Sequence, residues 1–449
     1  MTVQNRSEAQ PLIAKPASVR IRNPRYALAL LVVIYVLHNL DRQIINILAE
    51  PIRLDLGLRD WQVGIMTGLP FALFYATLGI PIARLAERGN RARIIAISVV
   101  VWSGFTAVCG LSQTFVQLIL ARIGVGIGEA GCTPAAHSLI SDMVPREKRA
   151  SALGAYSMGG PIGALLGMAI GGLLIDLWGW RSGFFVAAAP GLVLGALAAF
   201  TLHEPRTTQA PATQGVLPVP TFMEAMRELR ACRTFWLFSA GAALQAVVLY
   251  GHGAFLGSFF FRNHGPELAQ AAAGFGMKTA GFLGLAIGLI SGLSGLVGAY
   301  AGGKLADRHV AATNPGAVAT QVALFNLLAA PIYIAAMLAP SANVALFLLI
   351  IPSLSYGMTY GPIFSVFQSV VQPRTRATAV AIYLLVANLL GLGVGPLLVG
   401  MVSDHLAREA HLGVAEGLRW SMVSSTLLGV VAAWFYWRAR KHIVRDTVS

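Results

Sequence analysis

Charge is scarce in this 449-residue chain: 12% of residues are Asp, Glu, Lys or Arg, against 56% hydrophobic. Soluble domains carry about 25% charged residues, so the deficit excludes a soluble globular fold. Cysteine is limited to Cys109, Cys132 and Cys232, the first two inside apolar runs, which excludes a disulfide scaffold. Lysine is nearly absent, with 5 against 28 arginines, and this bias together with very short loops fits a bacterial source. No phosphate-cradling Gly-x-x-x-x-Gly-Lys loop, no His-Glu-x-x-His pair and no Cys/His cluster occurs. ATP-driven chemistry and metal catalysis therefore lack their residues; no metal, no cofactor and no enzymatic activity are expected. The first 24 residues hold no compact apolar core with a cleavage site, so they read as a flexible tail and not a signal peptide.

Long apolar runs are what the chain has in their place. Twelve reach spanning length, which is about 20 residues for about 30 Å of hydrocarbon. They lie near 26–48, 62–83, 93–112, 115–139, 150–175, 182–202, 234–261, 275–300, 315–337, 342–370, 377–402 and 418–437. The expected fold is an all-α integral membrane protein of twelve transmembrane helices in two six-helix bundles related by a pseudo-twofold axis. Its domains are a tail (1–24), a first bundle (25–202), a linker (203–233), a second bundle (234–437) and a second tail (438–449). With the amino terminus in the cytoplasm, 24 of the 33 Lys and Arg fall on cytoplasmic segments, seven on the other side and two, Arg42 and Arg122, inside helices. That is the positive-inside bias. It assigns the net charge of +14 to orientation and not to nucleic acid, and it places both termini in the cytoplasm of a plasma membrane, here the bacterial inner membrane. Thr221 to Arg233, at the end of the linker, alternates apolar and basic residues as a short interfacial helix does.

The two halves repeat each other. Leu85-Ala86-Glu87-Arg88 returns as Leu305-Ala306-Asp307-Arg308, and Arg149-Ala150-Ser151-Ala152 with Tyr156 returns as Arg376-Ala377-Thr378-Ala379 with Tyr383. Parallel repeats of this kind are one plan on which secondary transporters are built. Helix 5 carries Gly159, Gly163, Gly167 and Gly171, and helix 8 carries Gly284, Gly288 and Gly292. Such ladders let backbones approach closely, so helix 5 is expected against helix 8, with Gly163, Gly167, Gly284 and Gly288 in one seam between the bundles.

Four ionisable residues interrupt the apolar spans: Asp41 and Arg42 in helix 1, Arg122 and Glu129 in helix 4. A charge at the bilayer centre costs about 2.5–3.5 kcal/mol on insertion scales, so four in two helices point to a functional site. The acids suit a proton or a cationic group and the arginines an anionic one. Desolvation and a nearby guanidinium act on such a carboxylate in opposite senses, which makes it switchable. The expected exchange pairs Glu129 with Arg122 and leaves Asp41, one residue from Arg42, as the proton site. A cytoplasmic gate is expected from Glu87, Arg88, Arg91, Asp307, Arg308, Arg149 and Arg376, acids at helix ends pairing with arginines across the bundles. His38, Asn39, Gln245, Tyr250, Tyr356, Tyr360, Tyr383 and Asn388 are weaker cavity candidates.

These residues resemble a known family. The paired Leu-Ala-(Asp/Glu)-Arg loops, Arg122-x-x-x-Gly126-x-Gly128-Glu129-Ala130 and Gly160-Pro161 are similar to the major facilitator superfamily over the whole chain. Asn39-Leu40-Asp41-Arg42, Arg122 with Glu129, Asp142-x-x-Pro145-x-x-x-Arg149 and Gly179-Trp180-Arg181 resemble its spinster branch, whose members export lysophospholipids or sphingosine phosphate. The resemblance implies that helices 1, 4, 7 and 10 line a central cavity, that 5 meets 8 and 2 meets 11, and that Asp41, Arg42, Arg122 and Glu129 are the working charges. Glu87 stands where that family usually has Asp, with Ala83 and Asn90 where it usually has Gly. The expected function is secondary active, proton-coupled transport of an amphipathic anion such as a lysolipid by alternating access. The alternatives are an organic-anion, carboxylate or drug transporter of the same superfamily, or a membrane ligand sensor. Expected partners are the substrate, protons and membrane lipids, with the chain as a monomer.

Overall fold

The computed structural model describes residues 23–145, 148–205, 222–311 and 314–447. Nearly all of the expected first tail and residues 206–221 of the expected linker lie outside them. Among the described residues twelve helices are long and apolar enough to cross a membrane: α1 Pro24–Leu56, α2 Asp60–Ala86, α3 Arg91–Leu111, α4 Phe115–Met143, α5 Ser151–Trp178, α6 Trp180–Thr201, α7 Arg233–Gly274, α8 Thr279–Val310, α9 Pro315–Met337, α10 Ala342–Val370, α11 Thr378–Arg408 and α12 Gly413–Asp446. An even number of crossings returns the chain to the face where α1 begins, here the terminal face; the opposite one is the far face. Side-chain caps start many of the helices, as when Asn23 accepts from the Tyr26 amide and Asn90 from the Arg93 amide. Gly57 ends α1 in the left-handed region at φ +63°, and Gly179 at φ +78° makes the tight turn between α5 and α6; both backbones suit glycine.

Two helices are longer than their apolar runs. α12 continues to Asp446, so residues 438–446, expected as tail, are helical. Tyr436, Ala439 and Ile443 are buried against the second bundle, and that packing carries the helix through its arginines. α7 runs on to Gly274 across a kink at His264, two residues before Pro266, which cannot donate into the helix. The short connecting helix expected over 221–233 is Phe222–Ala231, with Ala225 and Leu229 buried.

The glycine ladders sort themselves differently from expectation. Helices α5 and α8 do meet across the bundles, but Gly163 and Gly167 face α1 inside the first bundle. A Cβ on Gly167 would lie 2.7 Å from Leu40 O, and one on Gly163 would run into Val36 O. The α5 side of the seam is Leu165, Met168 and Gly172, against Ala280, Gly284 and Gly288 of α8. Residues 163 and 165 differ by about 200° around a helix of 3.6 residues per turn, so a ladder on one side leaves the opposite side for the other neighbour. α5 is thus sandwiched between α1 and α8. Gly284→Leu is expected to separate the bundles, since its Cβ would meet the Met168 carbonyl; a fall in melting temperature and in monodisperse yield would show it. Gly167→Leu should instead loosen α1 from α5.

The second symmetric seam joins α2 to α11. Gly64 and Gly68 of α2 touch the backbone of Pro396 and Leu392, and Gly400 touches Asp60. Here α11 contains a π-helical stretch, Leu389–Val394, where Gly391 lies against Ala246 and Tyr250 of α7. Such stretches inside α-helices frequently mark functional positions.

Candidate functional site

The four charges inside the spans converge on one place between α1 and α4, and all but Arg42 are almost wholly buried. Glycine makes the approach possible. A Cβ on Gly126 would lie 3.0 Å from Phe71 O, and one on Gly128 would lie 2.5 Å from the Trp102 amide. α4 therefore presses its Gly-x-Gly-Glu segment onto α2 and α3, and its first helical run ends on Glu129. Pro134 follows in the next run, where it cannot donate back to Ala130.

The pairing is crossed relative to the sequence expectation. Arg42 Nε donates to Glu129 Oε2 at 2.7 Å, and His38 Nδ1 lies 3.4 Å from the same oxygen. Asp41 Oδ1 accepts from Thr106 Oγ1 at 2.9 Å, while its Oδ2 stands 4.0 Å from Arg122 Nη1. Adjacent residues on α1 point about 100° apart, so Asp41 and Arg42 reach different partners and do not pair with each other. Each acid thus takes the arginine of the other helix. The Arg42 guanidinium lies against the stacked rings of Phe71 at 4.6 Å and Tyr75 at 4.5 Å, and the Arg122 guanidinium stands 5.4 Å from the same Phe71 ring. Arg42 keeps 22% of its side chain exposed.

The cluster is only part satisfied. His38 Nδ1, Asp41 Oδ2, Arg42 Nη2, Arg122 Nε and Glu129 Oε1 are buried without a hydrogen-bond partner. Buried polar atoms are normally paired, so five orphans around two ion pairs mark a site with donors and acceptors to offer. Sequence reading missed Thr106, Phe71 and Tyr75, which carry no charge and read as ordinary span residues. His38, a weaker candidate, is in the cluster, stacked near Tyr35 and edge-on to Trp102; Asn39 is outside it, bonded to Tyr35 O.

In the second bundle the weaker candidates separate. Gln245 is a structural hub: it donates to Thr359 Oγ1 at 2.7 Å and accepts from Asn326 and from Tyr436 OH. Tyr383 packs on Phe364 and Phe367, Tyr360 is exposed and Asn388 is half-buried beside the π-helical stretch. Tyr356 lines a cavity of about 110 Å³ with His252 and Tyr333, and His252 Nδ1, Tyr333 OH and Tyr356 OH are all unpartnered.

At the terminal face the members of the expected gate that lie among the described residues do not pair across the bundles. Asp307 and Arg308 are exposed, and among the described residues no ion pair joins Asp307 to Arg149 or Arg376. The side chains of Glu87 and Arg88 lie outside the described ones. Arg149 and Arg376 do keep the repeat, each donating through Nε to a carbonyl five residues back, Val144 and Val371. Arg91 is not a cross-bundle residue: fully buried, it binds Glu204, Asp142 and Ser138 and so ties α3, α4 and the end of α6 together within the first bundle.

The far face holds a lock that sequence reading missed. Arg262 of α7 donates to Glu50 of α1 at 2.7 and 3.0 Å and to Asp60 of α2 at 2.7 and 2.8 Å. Ser403 of α11 donates to Asp60 at 2.6 Å, and Asp404 accepts from the amides of Asp60 and Trp61 at the start of α2. Asp176 at the end of α5 does the same for the amides of Ala280 and Gly281 at the start of α8. Anions are favoured at helix starts, so both seams end in the same device.

Comparisons with known proteins agree with this architecture. A profile described as Major Facilitator Superfamily matches residues 31–396. An "MFS-type efflux pump" of Mycolicibacterium smegmatis is 30% identical and covers 94% of each chain. "Protein spinster homolog 3" of Mus musculus is 27% identical over 81% of this chain and 72% of its own. A crystal structure of a bacterial homolog of the human lysosomal transporter spinster, inward-facing and unoccupied, superposes with a TM-score of 0.81 at 34% identity, covering 95% and 98% of the two chains. With its twelve spans, its two repeat-related seams and this match over most of its length, the chain belongs to the Major Facilitator Superfamily and is spinster-like within it.

Proposed function

We propose that this membrane transporter moves an amphipathic anion, with a lysolipid as the leading substrate, coupled to protons by alternating access. One observation carries the reading: the crossed quartet Asp41–Arg122 and Glu129–Arg42, buried, part satisfied and flanked by Phe71 and Tyr75. The part-exposed Arg42 offers a donor to an anionic headgroup, and the rings beside it offer apolar surface. Asp41 is the proposed proton site. Protonating it gives up only a loose contact with Arg122 at 4.0 Å and keeps Thr106, whereas protonating Glu129 breaks a 2.7 Å bond. The charge asymmetry of the loops supports a cytoplasmic terminal face in a bacterial inner membrane.

On that orientation the far-face lock corresponds to an inward-facing state. Asp307, Glu87 and Arg88 with Arg308, Arg149 and Arg376 would engage in the opposite state, closing the cytoplasmic side. Asp307→Asn is then expected to leave the present state favoured, and spin labels across the terminal face should report fewer closed molecules. An unchanged distribution would reduce these residues to a topogenic role.

The efflux pump among the relatives favours a second reading, export of drug-like organic anions. Flux into and out of proteoliposomes, with and without a pH gradient, decides both points. Gradient-driven movement of lysolipid supports the proposal; movement only of small organic anions supports the second reading. Rates indifferent to the gradient would leave a facilitated carrier.

A further inference from the structure

A groove on the outer surface of the second bundle is unused by the charge site. It lies where the terminal-face ends of α8, α9 and α12 meet, and it measures about 810 Å³. His309 of α8 and Arg440 and Lys441 of α12 line it together with Gln321, Leu324 and Leu328 of α9, and none of its described lining residues is acidic.

Depth separates these groups. Arg440 is six residues from the end of α12 and Gln321 six from the start of α9, so both sit about 9 Å inside the helix ends at 1.5 Å per residue. Leu324 and Leu328 lie deeper and are exposed on the bundle surface. The Arg440 guanidinium is fixed over the Trp437 ring at 3.6 Å. Gln321 is 4% exposed; its Nε2 donates to Gly302 O at 3.0 Å, and its Oε1 has no partner. A buried acceptor thus stands level with two cations, above apolar walls continuous with the lipid-facing surface.

We propose that this groove binds one anionic phospholipid with a hydroxyl-bearing headgroup, of the phosphatidylglycerol type. Its phosphate lies against Arg440 and Lys441, a headgroup hydroxyl donates to Gln321 Oε1, and its acyl chains follow Leu324 and Leu328. Basic pockets between spanning helices suit such headgroups, and the guanidinium suits phosphate. Nothing in this depends on what the transporter carries, so the flux assay and the binding assay fail independently.

The test is native mass spectrometry of the full chain in detergent, with a melting curve, after adding phosphatidylglycerol, phosphatidic acid, phosphatidylcholine or inorganic phosphate. One retained phosphatidylglycerol and a raised melting temperature are expected, with phosphatidylcholine and phosphate inert. Arg440→Ala with Lys441→Ala should cut retention about tenfold or more, on the scale of two lost charge-assisted bonds. Arg438→Ala, an exposed cation beside Trp434 outside the groove lining, should change nothing. Gln321→Leu should erase the preference for phosphatidylglycerol over phosphatidic acid, and this comparison stands even if the double variant does not fold. Equal retention of phosphatidylcholine, an equal loss in Arg438→Ala, or an unchanged preference in Gln321→Leu would overturn the proposal.

Discussion

Glu129→Gln is expected to lower transport about a hundredfold while the protein still reaches the membrane. The carboxylate is wholly buried and holds the Arg42 Nε at 2.7 Å. Removing one partner of a buried ion pair costs about 3–5 kcal/mol; the part exposure of Arg42 puts this case at the lower end, and about 1.4 kcal/mol is a factor of ten. The amide retains shape and one acceptor, so the loss belongs to charge and not to packing. Asp41→Asn is expected to behave differently. Its amide oxygen still accepts from Thr106, and only the loose contact with Arg122 is lost, so substrate binding should survive while transport stops following the pH gradient. Flux at several imposed gradients, beside equilibrium binding, separates the two. Gradient-driven transport retained by both variants would remove proton coupling from the mechanism.

The crossed pairing shows where sequence reading stops. Four charges in two apolar spans are legible because the cost of burying them is intrinsic to the residues, and the repeats announce two related bundles. Which acid meets which base depends on how α1 and α4 are rotated about their axes, and spacing along one helix carries no record of that. The glycine ladder of α5 is the same lesson: glycine every fourth residue says that a backbone comes close, and Gly163 and Gly167 chose α1. The far-face lock was hidden for another reason. Glu50, Asp60 and Arg262 sit at the ends of apolar runs, where charge is ordinary, and only the fold brings Asp60 and Arg262, 202 residues apart, within hydrogen-bond distance. Arg91 was misread in the opposite way: a basic residue in a loop of arginines was expected in the gate across the bundles and is fully buried in ion pairs within the first bundle.

That lock gives the second large effect. Arg262→Ala is expected to open the far face. Without the guanidinium, Glu50 and Asp60, two acids of the first bundle, keep only Arg53 and Ser403 as side-chain partners among the described residues, and the ion pairs between α7 and the first bundle are gone. Stripping the cation from a buried cluster costs about 3–5 kcal/mol, but only in the state that buries it, because an open face lets water reach both acids. The cost therefore falls on the equilibrium between states. At about 1.4 kcal/mol per decade it is a shift of about a hundredfold or more in their ratio. Spin labels at Leu54 and Leu412, both exposed near the far face on opposite bundles, would read it in a Cys232→Ser background, since Cys109 and Cys132 are buried. The label distance should lengthen in Arg262→Ala. Adding Glu50→Gln and Asp60→Asn to that variant should bring part of the short distance back, because the acids that penalise closure are then neutral and the glycine contacts of both seams remain. A distance that does not change in Arg262→Ala would mean that backbone packing at Gly64, Gly172 and Gly400 closes this face unaided.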